Sequence, residues 1–250
     1  MNSFIKLSTA QLKTFLREPA AFFFTLVFPV LLLTLFGVVW GNEPPPPDSG
    51  FYLGGFGFVD SAVPALAGLV IGTTALMSIP VATATAREQK ILRRFKATPL
   101  HPLVYLASDV VIYFAISLLG MILLIIVGLV AFDLRFNGNW FALLGGFTLC
   151  ALAFIASGYL IAGVAPTSRI AQVVGQLIYF PMMFLSGAAI PLQLMPDGVR
   201  HVAELLPMTM MVHLFQDLWF GNGWYVTGIV VMLGLLVVGA ILSARYFRWE

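Results

Sequence analysis

The side chains able to do chemistry are few and scattered. Three histidines, one cysteine and eleven acidic residues stand among 250. His101, His201 and His213 form no His-Glu-x-x-His pair, the helical spacing that puts two imidazoles on one zinc ion. Cys150 has no partner for an intrachain disulfide or a thiolate cluster. A phosphate-cradling loop needs glycine directly before its lysine, whereas Lys6, Lys13, Lys90 and Lys96 follow Ile5, Leu12, Gln89 and Phe95. The chain is expected to carry no catalytic residue, metal or nucleotide of its own. His201 and Glu204 read as interfacial polar residues. Asp60 and Asp109 lie close to the ends of apolar runs, where water and headgroups solvate a carboxylate, so structural placement is favoured over a proton relay.

Basic residues are concentrated. Between Thr85 and Leu100, Arg87, Lys90, Arg93, Arg94 and Lys96 supply five of the thirteen lysines and arginines, interrupted by Ile91, Leu92 and Phe95 at helical spacing. The island reads as a short amphipathic helix, with Arg87, Glu88, Lys90, Ile91, Leu92, Arg94 and Phe95 as candidate docking residues. The alternative is that its cations only set membrane orientation. A second pattern, Arg169, Gln172, Gln176, Tyr179, Met183 and Ser186, recurs at steps of three and four and so shares a helix face. Glutamine in hydrocarbon is costly unless it faces protein or water. This face either lines a path where two copies meet or fastens helices together.

The elements that position these residues are membrane helices. The composition is 60% apolar and 10% charged, with a mean hydropathy of +0.97, too little polar surface for a soluble globule. Lipid cannot satisfy backbone hydrogen bonds, and the apolar runs are about 20 residues or longer without the alternation of a barrel strand, so helices are expected. Six segments are read, at residues 20–40, 56–84, 103–132, 140–165, 170–191 and 224–244, forming one all-α integral membrane domain over 1–250. With a cytoplasmic N-terminus, eleven lysines and arginines fall inside and only Arg135 and Arg200 outside. That asymmetry predicts a multi-pass protein of the cell inner or plasma membrane with both termini cytoplasmic. Trp40, Trp140 and Trp224 fall at outer ends of spans, at headgroup level.

The segments between spans add detail. The leader places Phe4, Ile5, Ser8, Leu12, Phe15 and Leu16 on one side, suited to a helix lying in the inner interface; a frayed tail whose cations set topology is the alternative. No small-residue cleavage pattern follows Trp40, so the first run is expected to be an uncleaved span. Residues 43–48 form a stiff, proline-rich outer linker. Before the last span, residues 184–220 are too apolar for free loops and too short to cross, which points to broken helices dipping into the outer leaflet. Gly187, Pro191, Pro196 and Pro207 punctuate this outer gate region.

Here the residues resemble a family. Phe184-Leu185-Ser186-Gly187 with Ile190-Pro191, Met195-Pro196 and Leu206-Pro207-Met208-Thr209 is similar to the permease subunits of ATP-binding-cassette exporters of the type-2 class. Leu16-Arg17-Glu18-Pro19, Phe28-Pro29, Val63-Pro64-Ala65, Arg87-Glu88 and Ala97-Thr98-Pro99-Leu100 follow the family's order across nearly the whole chain. Gln89-Lys90 stands where the family commonly has Gly-Thr, and Ala65 where Gly is common. The resemblance implies an interfacial N-terminal helix, a cytoplasmic coupling helix over residues 87–98, and outer re-entrant helices before the last span. It further implies a second permease copy, identical or not, and two copies of a nucleotide-binding ATPase subunit that hold ATP and Mg. No nucleic-acid partner is expected. The implied function is outward movement of an amphipathic drug, lipid or glycan-type substrate. An ion-coupled secondary transporter is the alternative; internal symmetry and paired midplane charges, its expected marks, are not seen in the sequence.

Overall fold

Nine helices account for nearly all of the described residues, which in the computed structural model are 3–46, 55–91, 102–190, 192 and 195–246. They are α1 (Ser3–Leu16), α2 (Pro19–Trp40), α3 (Phe58–Glu88), α4 (Pro102–Phe132), α5 (Trp140–Val164), α6 (Ser168–Leu185), α7 (Asp197–Glu204), α8 (Pro207–Phe220) and α9 (Val226–Tyr246). No strand occurs among the described residues. Five helices, α2, α3, α5, α9 and residues 106–132 of α4, are long and apolar enough to cross a bilayer. The protein is thus an all-helical membrane protein. The fifth apolar run read from the sequence, now α6, is not among the five, because Arg169, Gln172 and Gln176 dilute its hydropathy over only 18 residues.

The local signals are chemical. Pro19 and Pro207 begin α2 and α8, where a missing N–H is not needed. Asn139 caps α5 by accepting from the N–H of Phe141 at 2.8 Å, and Thr167 caps α6 by accepting from that of Ile170 at 3.2 Å. Gly221, at φ 84°, closes α8 in the left-handed region open to glycine.

α3 is the central post. It packs against α2, α4, α5, α6 and α8, and 94% of its most apolar stretch is buried, against 17% for α9. Interior prolines coincide with wide turns in the spans. In α2 the π-helical turns Phe23–Val27 lead into Pro29, and in α3 the turns Thr73–Ser78 lead into Pro80. The N–H of Ile79 reaches back five residues to Thr74 O, and Pro80 offers no N–H to the carbonyls behind it. Neighbouring helices crowd those carbonyls with glycine: a methyl added to Gly158 of α5 would overlap Ala75 O, and one on Gly175 of α6 would overlap Leu76 O.

α1 lies against α4. Leu7 and Phe15 are buried, while Ile5, Leu12 and Leu16 are exposed. The bundle rather than the bilayer takes one side of this helix.

Candidate coupling site and translocation face

The two ends of α3 carry the polar chemistry. At its N-terminal end Asp60 is fully buried. Its carboxylate accepts from the N–H of Gly57 at 2.9 Å, the amide of Asn42 at 2.8 Å and the N–H of Arg135 at 2.8 Å, and the Arg135 Nε lies 3.7 Å away. Asn42 Oδ1 in turn accepts from the Asp60 N–H at 3.0 Å, and Arg135 Nη2 donates to Asn42 O at 2.6 Å. Trp219 Nε1 donates to Arg135 O at 2.9 Å, so α8 joins the same clasp. Beside it Phe136 stacks on Trp140, ring centres 4.0 Å apart, and Trp219 meets both edge-on. A buried carboxylate is tolerable here because every side of it meets a donor.

At the other end the first residues of the island turn inward. Arg87 donates to Ala162 O at 3.1 Å and to Ala165 O, capping the last carbonyls of α5. Glu88 accepts from the Ser168 N–H at 3.0 Å and from its hydroxyl at 2.7 Å, satisfying the first turn of α6. The α5–α6 turn is therefore held between the guanidinium and the carboxylate that end α3, with Ala84, Ala165 and Ala171 packed between them. Arg87 and Glu88 are the last residues of α3, and the helix breaks at Gln89-Lys90, with Lys90 at φ 59°. The single amphipathic helix read over residues 85–100 is thus interrupted near its start, since the two charged side chains are spent capping neighbours. Ile91 is half-buried beside α1; Leu92, Arg94 and Phe95 lie outside the described residues.

The glutamine face on α6 changes character along its length. Tyr179, Met183 and Ser186 are buried in the chain's own core, and the Tyr179 hydroxyl bonds Thr73 Oγ1 at 2.7 Å. Gln176 is half-buried and Gln172 and Arg169 are exposed, because the inner half of α6 seats Ala171 and Gly175 against α3. Arg169, Gln172 and Gln176 thus flank an open surface, while Tyr179, Met183 and Ser186 fasten helices. Val173 and Leu177 are the strongly exposed apolar neighbours on this helix, at 58% and 74%.

In the outer gate region Gly187 sits at φ 85°, a conformation that strains any residue with a side chain. Pro196 precedes α7 and Pro207 begins α8; Pro191 lies outside the described residues. Ser186, Gly187, Ser61, His213, Gln216 and Asp217 line a cavity of about 330 Å³, in which Gln216 Nε2 donates to Ser61 Oγ at 2.9 Å. His201 and Glu204 are exposed on α7, where Arg200 pairs with Glu204 at 3.6 Å. No group of three His, Cys, Asp or Glu side chains gathers as a metal site among the described residues.

Sequence reading missed the Asn42-Asp60-Arg135 clasp. The available signal was Asp60 three residues after Gly57 at a helix start, half of a capping box; its other partners come from 18 and 75 residues away.

Residues 2–220 of this chain match the ABC-2 type transporter family. The chain belongs to that family. It is also similar to Nodulation protein J of three bacteria. Identity is 29% over 132 residues with that of Rhizobium leguminosarum bv. viciae, 49% of this chain and 51% of the relative. It is 30% over 119 residues with that of Bradyrhizobium diazoefficiens, 46% and 44%, and 28% over 99 residues with that of Rhizobium meliloti, 38% and 37%. The alignments thus span about half or less of these relatives' length.

Proposed function

We propose that this chain is the transmembrane subunit of an ATP-driven exporter, energised through the end of α3. The observation that carries the reading is the double link from Arg87 to α5 and from Glu88 to α6. A push on Arg87 and Glu88 at the end of α3 reaches α5 and α6 directly through these side-chain contacts. Two copies of a nucleotide-binding ATPase subunit, holding ATP and Mg, dock there, with Lys90, Ile91, Leu92, Arg94 and Phe95 supplying contact and Arg87 and Glu88 transmitting it. Closure of those subunits rotates the attached spans as rigid bodies.

In this reading 1–250 is a single permease domain with six crossings in the inner or plasma membrane and both termini cytoplasmic. α6 is the fifth crossing: it starts at Ser168 beside Glu88 and ends near Ser186 beside Ser61, running the length of α3. Its 18 residues rise about 27 Å, close to the hydrocarbon thickness. α7 and α8 dip into the outer leaflet, and α8 rises only about 21 Å over 14 residues. A second permease copy meets the Gln172 and Gln176 side of α6, and the cargo is an amphipathic drug, lipid or glycan-type molecule.

The test is purification from the native host and transport in vesicles. An ATPase subunit should co-purify, ATP should drive transport, and Phe95→Asp should abolish both while the chain still inserts. Transport driven by an ion gradient without ATP or a partner chain would establish the secondary-carrier alternative instead.

A further inference from the structure

The outer cavity of about 330 Å³ lies between the start of α3, the turn after α6 and one side of α8. Four half-buried polar side chains line it, Ser61 from α3 and His213, Gln216 and Asp217 from α8. Their hydrogen-bonding capacity is only partly used. Gln216 Nε2 donates to Ser61 Oγ at 2.9 Å and to Ser61 O at 3.3 Å, which leaves Gln216 Oε1 and the Ser61 O–H without a partner among the described residues. Asp217 Oδ1 accepts from the Asn222 amide at 3.2 Å, and Oδ2 remains. Neither ring nitrogen of His213 has a hydrogen-bond partner among the described residues. Burial lowers the His213 imidazole against the raising influence of Asp217 and Glu204, so near pH 7 the neutral ring offers one donor and one acceptor. Two walls are aromatic. The Phe58 ring stacks on Trp40 at 4.8 Å and the Phe220 ring packs on Phe56 at 4.4 Å, so neighbours hold both in place as they line the cavity. No lysine or arginine lines it among the described residues. The adjoining sequence outside them, 47–54, 191 and 193–194, holds none either.

We propose that this cavity binds an uncharged sugar ring. Unspent donors and acceptors are mixed in one space, and a hydroxyl, being both, is the ligand group that satisfies either kind. A compact ring carrying several hydroxyls, with C–H edges to lay on the negative face of Phe58 or Phe220, is a sugar. Phosphate, sulfate and carboxylate ligands find no cation here. One half-buried carboxylate that already meets an amide gives a free cation little hold. The volume lies at the lower end of the range of about 300–1,000 Å³ for small-molecule pockets, which suits one ring better than a chain of them. Water fills the space when no ligand does. The glycan thereby singled out as cargo rests on the exporter reading, whereas binding of the ring does not.

The test uses the full chain in phosphatidylcholine nanodiscs, with radiolabelled octyl β-glucoside below its micellar concentration as the probe. Saturable binding is expected, with octyl sulfate and octyltrimethylammonium both failing to compete. Asp217→Asn and Gln216→Leu should each weaken binding about tenfold, the effect of losing one strong polar contact. Both variants should unfold near the wild-type temperature, so that loss of binding is not loss of fold. Methyl β-glucoside then separates two sources of the same chemistry. Competition by it as effective as that of unlabelled octyl glucoside identifies a free sugar as the occupant; a requirement for far higher concentrations identifies a sugar carried on an apolar chain. Non-saturable binding in the wild type, equal competition by either charged octyl compound, or unchanged affinity in both variants overturns the proposal. No ATP enters the binding assay. Ring binding without ATP-driven transport would therefore sink the exporter reading alone, and ATP-driven transport without ring binding would sink this site alone.

Discussion

The two ends of α3 solve the same problem in opposite ways. At the Asp60 end a fully buried carboxylate gathers Gly57, Asn42 and Arg135 from three separate segments, and aromatic rings seal it. At the Glu88 end an exposed carboxylate accepts from one residue, Ser168, among the described residues. A buried hub with no spare donor resists rearrangement, because moving any one element strands a charge. An exposed cap can be broken and remade against water at small cost. In the proposed cycle the first end is therefore a fixed pivot and the second is where motion enters.

The largest expected effect breaks the pivot. Asp60→Ala removes the acceptor shared by three partners and should destabilise the protein by about 3 kcal/mol or more, read as a lowered unfolding midpoint in micelles. A loss under about 1 kcal/mol would mean that water replaces the carboxylate and that the end is no hub. Next comes the post itself. Gly175→Ala drives a methyl into the Leu76 carbonyl and should cost about 1–3 kcal/mol. Gly234→Ala on α9, which meets nothing within 4 Å, should be neutral or stabilising. Equal effects at the two glycines would show that packing on α3 is not the determinant.

The comparison is sharpened at the moving end. Glu88→Ala should leave the unfolding temperature near that of the wild type yet reduce ATP-driven transport, with Ser168→Ala acting along the same path. If the double variant loses the product of the two single effects instead of the larger one, the carboxylate and the serine act separately. The smallest effect is expected on α6. Gln172→Leu and Gln176→Leu should alter substrate range more than stability, whereas helix-fastening glutamines would give a loss averaging about 0.6 kcal/mol each and no change in range. In a Cys150→Ser background, cysteine at position 176 should cross-link two copies; a link from position 177 alone would put the interface on the Leu177 side.

Several features were legible from residue order because each depends on neighbours within a few positions. Apolar runs long enough for a bilayer, prolines at helix starts and the charged island are local facts, and five of the six expected spans reappear as helices of membrane length. The short helices α7 and α8 also fall within residues 184–220, where broken helices were expected. The Asp60 clasp was not legible, because Asn42 and Arg135 reach it only through the folding of α2, α3 and α4 around one another. The α6 face was half legible. Its spacing is helical from Gln172 to Ser186, but which part is buried depends on how α6 crosses α3, and spacing carries no crossing angle.

By itself the sequence determined that this is an all-helical membrane protein, since lipid offers the polar backbone no hydrogen bonds and the long apolar runs lack the alternation of barrel strands. It also determined where positive charge collects. Tertiary structure decided what those residues do. It gave Arg87 and Glu88 hydrogen-bond partners at the ends of α5 and α6, and it sank Tyr179 and Met183 into the core. It also enclosed Gln11 without a partner. The physical reason is that burial and hydrogen-bond satisfaction belong to the space between helices, and that space exists only after the helices have met.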